Sequence, residues 1–290
     1  LAAQYLFASI AGRRVSAVAA SEFTHVQQFV GEGALVLALS QSGETIDVLE
    51  AARAAQARGA RVAALVNVEG STLWRLADGP VPLAAGPERC VLATKSFTAM
   101  VAVGLLAAYE VAGAPEVGAA QVAAAAAEVA RLLGDGRRDQ IRRIAEEYHR
   151  REHLFVIGRG PSYPLALETA LKVKEVSYVH AEGFAGGELK HGVIALIEPG
   201  TPCVVIAPRD ETLDDIMAGA LQVKARGGVL IGVSPEPHEA FAHHIPVADL
   251  GPATAIVNAV PAQLLGYFLA LIRGNDPDKP RNLAKSVTVK

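Results

Sequence analysis

The stretch 35–47, LVLALSQSGETID, constrains the fold more than any other. Residues 35–39 are an apolar run of strand length and read as a buried parallel strand. The run ends at Ser40, and an amphipathic helix starts near Thr45. Between them lie Ser40, Gln41, Ser42, Gly43 and Glu44. A strand feeding such a turn and then a helix leaves the first-turn N–H groups without partners, and the helix dipole favours an anion there. Ser40, Ser42 and Thr45 add hydroxyls, Gln41 adds an amide, and Gly43 lets the backbone approach closely. The turn holds no Lys or Arg, so the Gly-Lys-Ser/Thr ending of a nucleotide P-loop is missing. That favours a small phosphorylated metabolite over a nucleoside triphosphate. The same residues would also serve as an ordinary helix N-cap with spare hydroxyls, and the turn alone does not separate the two.

The 290 residues suffice for one large or two medium domains with a sizeable core. Half are apolar and only 5% aromatic, so the core is expected to be Ala, Val and Leu, as where helices pack closely on a parallel sheet. A net charge of -3 without a basic run gives no footing for nucleic acid. Two cysteines, Cys90 and Cys203, fit a reducing compartment better than a disulfide framework. The most apolar helical stretch is taken as 97–109, closed by Glu110 and too short to cross a bilayer. No signal peptide is expected from the opening residues as given. A cytoplasmic protein with no membrane partner is expected.

Along the chain, strands are expected at 15–19, 61–66 and 81–84, the last at a sheet edge because of Pro82. Helices are expected from Ser21 as a cap, from Thr45 to about Ala57 with Gly59 behind it, at 71–77, from Phe97, at 122–133 and at 137–149. Gly134-Asp135-Gly136 reads as a joint. Then the pattern restarts with a strand at 154–157, a turn at 158–162 and a helix at 165–177. Glu188-Leu189-Lys190-His191 answers Glu22-Phe23-Thr24-His25, Glu211-Thr212 answers Glu44-Thr45, and Ala225-Arg226-Gly227 answers Ala57-Arg58-Gly59, at a nearly constant offset of about 167 residues. Two copies of one α/β unit follow: 1–135, 136–275, and a tail 276–290. In copy two, Pro208, Arg209 and Asp210 stand where copy one has Gln41, Ser42 and Gly43, so only the first turn looks built for phosphate. The strand and glycine turn that open copy two have no counterpart in copy one. An edge strand beside the site is expected to precede Leu1.

The densest chemistry lies between Leu167 and Gly192. Lys172 and Glu175 share a helix face at i, i+3, and Glu168 pairs with Lys172 at i, i+4. Glu168 and Lys174 read as a salt-bridged solvent face. Glu175, followed by apolar Val176 and Val179, reads either as a half-buried general base with a raised pKa or as one more structural ion pair. His191 and Lys285 are open in the same way, as loop histidine or acid–base group and as tail lysine or imine former. Gly158-Arg159-Gly160 is half of a dinucleotide fingerprint, with Tyr163 at the third glycine position, so NAD is not expected. The eight histidines form no HExxH and no Cys/His cluster, so no catalytic metal is expected.

Four stretches together, SQSGET at 40–45, ATKSFT at 93–98, KVKEVSYVHAEGFAGGELKHG at 172–192 and PRNLAKSVTV at 280–289, resemble the isomerase half of the glutamine–fructose-6-phosphate aminotransferase family. The resemblance implies two SIS-type, three-layer αβα domains with parallel, flavodoxin-like sheets. It implies that Ser40, Gln41, Ser42 and Thr45 bind the sugar phosphate, with Val91, Ala93 and Ala284 lining the substrate. It implies Lys285 as Schiff-base lysine, Glu175 as the base moving a proton between the first and second carbons, and Lys172 as its helper. His191 would open the sugar ring in the neighbouring subunit of a homodimer, and no cofactor or metal is implied. Ala93 stands where the family usually has serine, and Val193 replaces a common proline. The family's Cys-Gly-Thr-Ser turn and its glutaminase domain would lie upstream of Leu1. The implied reaction is fructose 6-phosphate plus ammonia to glucosamine 6-phosphate. A stand-alone glucosamine-6-phosphate deaminase or isomerase, and a phosphosugar sensor without turnover, are the alternatives.

Overall fold

A computed structural model describes residues 1–134 and 136–288. Asp135, within the expected joint, and Val289 and Lys290, the end of the tail, lie outside the described residues. In chain order the elements are α1 (Ala2–Ala11), β1 (Leu35–Ser40), α2 (Ile46–Ala57), β2 (Arg61–Val66), α3 (Thr72–Leu76), β3 (Gly79–Pro82), α4 (Lys95–Val111), α5 (Pro115–Gly134) and α6 (Arg137–Tyr148). There follow β4 (His153–Gly158), α7 (Tyr163–Ser177), β5 (His180–Ala185), β6 (Pro202–Ile206), α8 (Leu213–Ala225), β7 (Val229–Ser234), β8 (His243–Pro246), α9 (Thr254–Val257) and α10 (Ala259–Ile272). Among the described residues, backbone contacts gather 16–103 with 281–288 into one unit, and 1–15 with 104–134 and 136–280 into another.

The smaller unit carries a parallel sheet in the order β1-β2-β3, with Leu35 opposite Arg61 and Ser40 opposite Val66. Ala51, Ala52 and Ala55 bring α2 close onto Ala38, Val62, Ala64 and Val66. Pro82 does sit on an edge strand, β3, where its missing N–H breaks no ladder. Two expectations fail here. Residues 15–19 form no strand, and the helix expected from Ser21 is a 3-10 turn, Ala20–His25, without a side-chain cap.

The larger unit holds five parallel strands in the order β5-β4-β6-β7-β8. Alternate residues face opposite ways, as the pleat requires. Phe155, Ile157, Cys203 and Val205 meet Ile216, Ala220 and Val223 of α8, while Val204, Ile206, Ile231 and Val233 meet Thr169 of α7 and Pro261 and Leu265 of α10. The result is helix, sheet, helix. The two halves repeat: β1, α2, β2 and β3 have their counterparts in β6, α8, β7 and β8. In the second half β4 is interior, flanked by β5 and β6, and not the edge strand expected for its counterpart. β6 is buried throughout, whereas Leu35 and Leu39 of β1 are 68% and 43% exposed. The apolar helical stretches are also reordered. Gly251–Ile272 is long and apolar enough to cross a membrane by composition, as is Pro115–Gly134, but 78% of the former is buried inside the fold, as in a core helix.

Candidate active site

In the smaller unit the chain leaves β1 at buried Ser40 and enters α2 after Thr45, which stands at the N-cap. Ser40 Oγ accepts from the Gly43 N–H at 2.9 Å and lies 3.4 Å from Thr45 Oγ1. Ser42 Oγ accepts from the Glu44 N–H at 3.2 Å. Three hydroxyls thus gather at the start of a twelve-residue helix, as an anion corner requires. The Gln41 carbonyl accepts from the Asn67 N–H at 3.2 Å, pinning the turn to the end of β2. Glu44 would repel an anion, but its carboxylate turns away and accepts from the Thr72 N–H at 2.8 Å. That hydrogen bond holds the Glu44 carboxyl below the usual carboxylate range.

Gly43 makes the corner possible. Its φ is +69°, and a Cβ built there would fall 2.0 Å from Ser71 Oγ, the capping atom of α3. Gly43→Ala is expected to destabilise the protein by about 2–4 kcal/mol, since strain and overlap with a buried cap act together. Denaturant unfolding measures this, and a loss below about 0.5 kcal/mol would show that the turn relaxes freely.

The tail reaches this corner. Ser286 Oγ is 3.1 Å from Ser42 Oγ, and the Ile46 N–H donates to the Val287 carbonyl at 3.1 Å. Beside them Lys285 Nζ donates to the Cys90 carbonyl at 2.7 Å, and exposed Ala284 precedes it. The Cys90 loop also carries half-buried Val91 and Ala93. Sequence reasoning passed over what shapes this loop, the carboxylate of Glu88. It accepts from Thr94 Oγ1 at 2.9 Å, from the Ser96 N–H at 3.0 Å and from the Ser96 hydroxyl. Burial pushes the Glu88 carboxyl up, and the hydrogen bonds from Ser96 and Thr94 outweigh it, so Glu88 is held below its ordinary value.

The larger unit holds the other expected groups on α7 and after β5. Lys172 Nζ is 2.6 Å from Glu175 Oε2 and 3.5 Å from Glu168 Oε1. The lysine side chain is 3% exposed, Glu175 21% and Glu168 11%. Lys172 and Glu175 share a face as expected; the solvated face assigned to Glu168 does not exist. α10 covers that side of α7, where Gly266 lies against the Lys172 carbonyl. Burial pushes the Glu168 carboxyl above its usual range, with the Lys172 charge opposing and the Glu175 charge adding. Glu168 Oε1 has no hydrogen-bond partner among the described residues, because the 3.5 Å approach of Lys172 is an ion pair without hydrogen-bond geometry. Lys174 is exposed, as expected. His191 is exposed at the end of the 3-10 turn Gly186–His191 that follows β5. In copy two the corresponding turn carries the carboxylate of Asp210. Asp210 Oδ1 accepts from the Thr212 N–H at 2.8 Å and from its hydroxyl at 2.6 Å, filling the start of α8 with the chain's own anion.

A strand-loop-helix corner rich in hydroxyls, in one half of a duplicated α/β architecture, defines the class. The SIS domain family matches residues 1–109 and 147–273, and the chain belongs to that family. Within it, the chain is 39% identical over 299 residues to the glutamine–fructose-6-phosphate aminotransferase (isomerizing) of Brucella abortus, 99% of this chain and 49% of that protein. The enzyme of the same name from Thermococcus kodakarensis is 42% identical over 302 residues, 100% of this chain and 50% of that one. The chain thus spans about half the length of the curated relatives it matches. Among solved structures, the C-terminal domain of glucosamine-fructose-6-phosphate aminotransferase from Francisella tularensis superposes with a TM-score of 0.85 at 32% identity, covering 96% of this chain and 82% of that one. A glucosamine-6-phosphate deaminase from Thermotoga maritima gives 0.82 at 26% identity, covering 99% and 86%.

Proposed function

We propose that this chain is the phosphosugar-isomerising module of a glutamine–fructose-6-phosphate aminotransferase, converting fructose 6-phosphate and ammonia to glucosamine 6-phosphate. The observation that carries the proposal is the tail. Ser286 Oγ lies 3.1 Å from Ser42 Oγ, which supports a reading in which the neighbouring Lys285 serves a sugar held at that corner. The phosphate is held by Ser40, Gln41, Ser42 and Thr45, and Val91, Ala93 and Ala284 line the sugar. Lys285 attacks C2 of the open-chain ketose and forms an imine with loss of water. Ammonia then displaces the lysine. Glu175 takes a proton from C1 while the imine nitrogen gains one, and the same proton returns to C2 as O1 releases its own. The products are an aldehyde at C1 and an amine at C2. Lys172 holds the Glu175 carboxylate. His191 opens the ring, working in the neighbouring subunit of a homodimer, and a glutaminase domain elsewhere in the protein supplies ammonia in the cytoplasm. No cofactor enters the scheme.

Borohydride reduction in the presence of fructose 6-phosphate tests this. The expected result is a covalent hexose-phosphate adduct on Lys285, with glucosamine 6-phosphate formed when ammonium is supplied without borohydride. Tight binding with neither adduct nor turnover would overturn the proposal in favour of a sensor. The likeness to the Thermotoga deaminase favours a second reading, the reverse reaction. Ammonia released from glucosamine 6-phosphate faster than it is taken up at comparable substrate levels would establish that reading.

A further inference from the structure

β4 and β5 both begin with histidine, and their parallel register sets His153 directly against His180. Paired residues of neighbouring strands project to the same face. Both side chains are exposed, with Nδ1 of one 3.2 Å from Nδ1 of the other. The ring centroids are 5.3 Å apart and the planes nearly perpendicular, at 85°. Two Nδ1 atoms at that distance cannot both carry hydrogen, so at least one offers its lone pair to the space between them.

That spacing also suits a metal ion. Zinc lies about 2.0–2.1 Å from an imidazole nitrogen, so an ion equidistant from both atoms would subtend an angle of about 100°, close to tetrahedral. Two rings so held would have centroids about 5 Å apart, near the separation seen. A right angle between neighbouring ligands, as in a square-planar or octahedral ion, would put the nitrogens about 2.8–3.0 Å apart at the same bond length, closer than these.

We propose that His153 and His180 form a cross-strand chelate for one divalent ion of the zinc class. The ion takes the place of the hydrogen between the two Nδ1 atoms, the ring that carried it moving its proton to its own Nε2, and water fills the two remaining positions. Among the described residues no group of three or more His, Cys, Asp or Glu is placed to hold a metal, so the site stays two-liganded. It stands at the start of both strands. The Gly160–Ser162 turn and the Gly186–His191 turn leave their far ends. The ion therefore serves to clamp the edge strand β5 to β4, outside the chemistry proposed above.

With half the ligands of a structural zinc site, the dissociation constant should be about 1–100 µM. The test uses the whole chain, stripped with chelator and titrated with Zn²⁺ against a chromophoric competitor, with the unfolding temperature followed in parallel. The expected result is one ion bound in that range and an unfolding temperature that rises with occupancy, neither reproduced by Mg²⁺. His153→Gln and His180→Gln should each weaken binding at least about 10-fold and abolish the shift. Both positions are exposed, and equal unfolding temperatures of the metal-free proteins would confirm that the variants fold. Zinc binding that survives both substitutions, no binding below about 1 mM, or an equal response to Mg²⁺ would overturn the proposal.

Discussion

Glu175→Gln is expected to lower turnover of fructose 6-phosphate by about 10²–10⁴-fold, the usual contribution of a positioned general base, while phosphosugar affinity stays within about twofold. The substitution keeps the length and shape of the side chain, and its amide oxygen can still accept from Lys172 Nζ, which now lies 2.6 Å from the carboxylate. What disappears is the basicity needed to take a proton from carbon. Binding should be spared because the corner proposed to hold the phosphate, residues 40–45, lies in a separate unit of the chain. Calorimetry with glucosamine 6-phosphate and a coupled turnover assay on one preparation separate the two effects. Turnover within about threefold of the parent would remove Glu175 from the role of base.

The features that could be read from the sequence depend on near neighbours in the chain. The run into Ser40, the strand at 61–66, the cap at Ser71 and the i, i+3 pairing of Lys172 with Glu175 are local patterns, and each stands where expected. The failures depend on distant partners. Residues 15–19 have strand-like composition, and their counterpart in the second copy is β5, which is a strand because β4 lies beside it. Among the described residues nothing pairs with 15–19, so the segment forms no strand. Glu168 failed in the other direction. Its spacing from Lys172 is that of a surface ion pair, and the burial of the pair depends on packing around α7 that this spacing does not encode. Glu88 was illegible for a similar reason, because a loop carboxylate acquires meaning only when the loop closes on it. The role of Ser286 was hidden because its partner, Ser42, is 244 residues away.

The burial of that trio leads to the largest expected effect on stability. Lys172 is a single cation between two carboxylates, and its side chain is 3% exposed. Lys172→Met fills a similar volume but leaves Glu168 and Glu175 facing each other with no compensating charge. Removing one partner from a buried ion pair costs about 3–5 kcal/mol, and that range is expected here at pH 7.5. The pH dependence follows from the Glu168 carboxyl, whose proton affinity burial already raises in the parent. A group with a raised folded-state pKa contributes fully below its unfolded value and loses that contribution as pH rises through the folded one. Without Lys172 to oppose burial, Glu168 should move further up, so the loss should shrink towards pH 5 and grow towards pH 8. Glu168→Gln in the Lys172→Met background removes one of the two opposed charges and should recover part of the loss. Glu168→Gln alone should cost far less than Lys172→Met, because it relieves a buried carboxylate that lacks a full hydrogen-bond set. Urea unfolding of the four proteins across that pH range closes the cycle. A loss below about 1 kcal/mol that does not change with pH would mean that the three charges are solvated, and the buried arrangement on α7 would have to be abandoned.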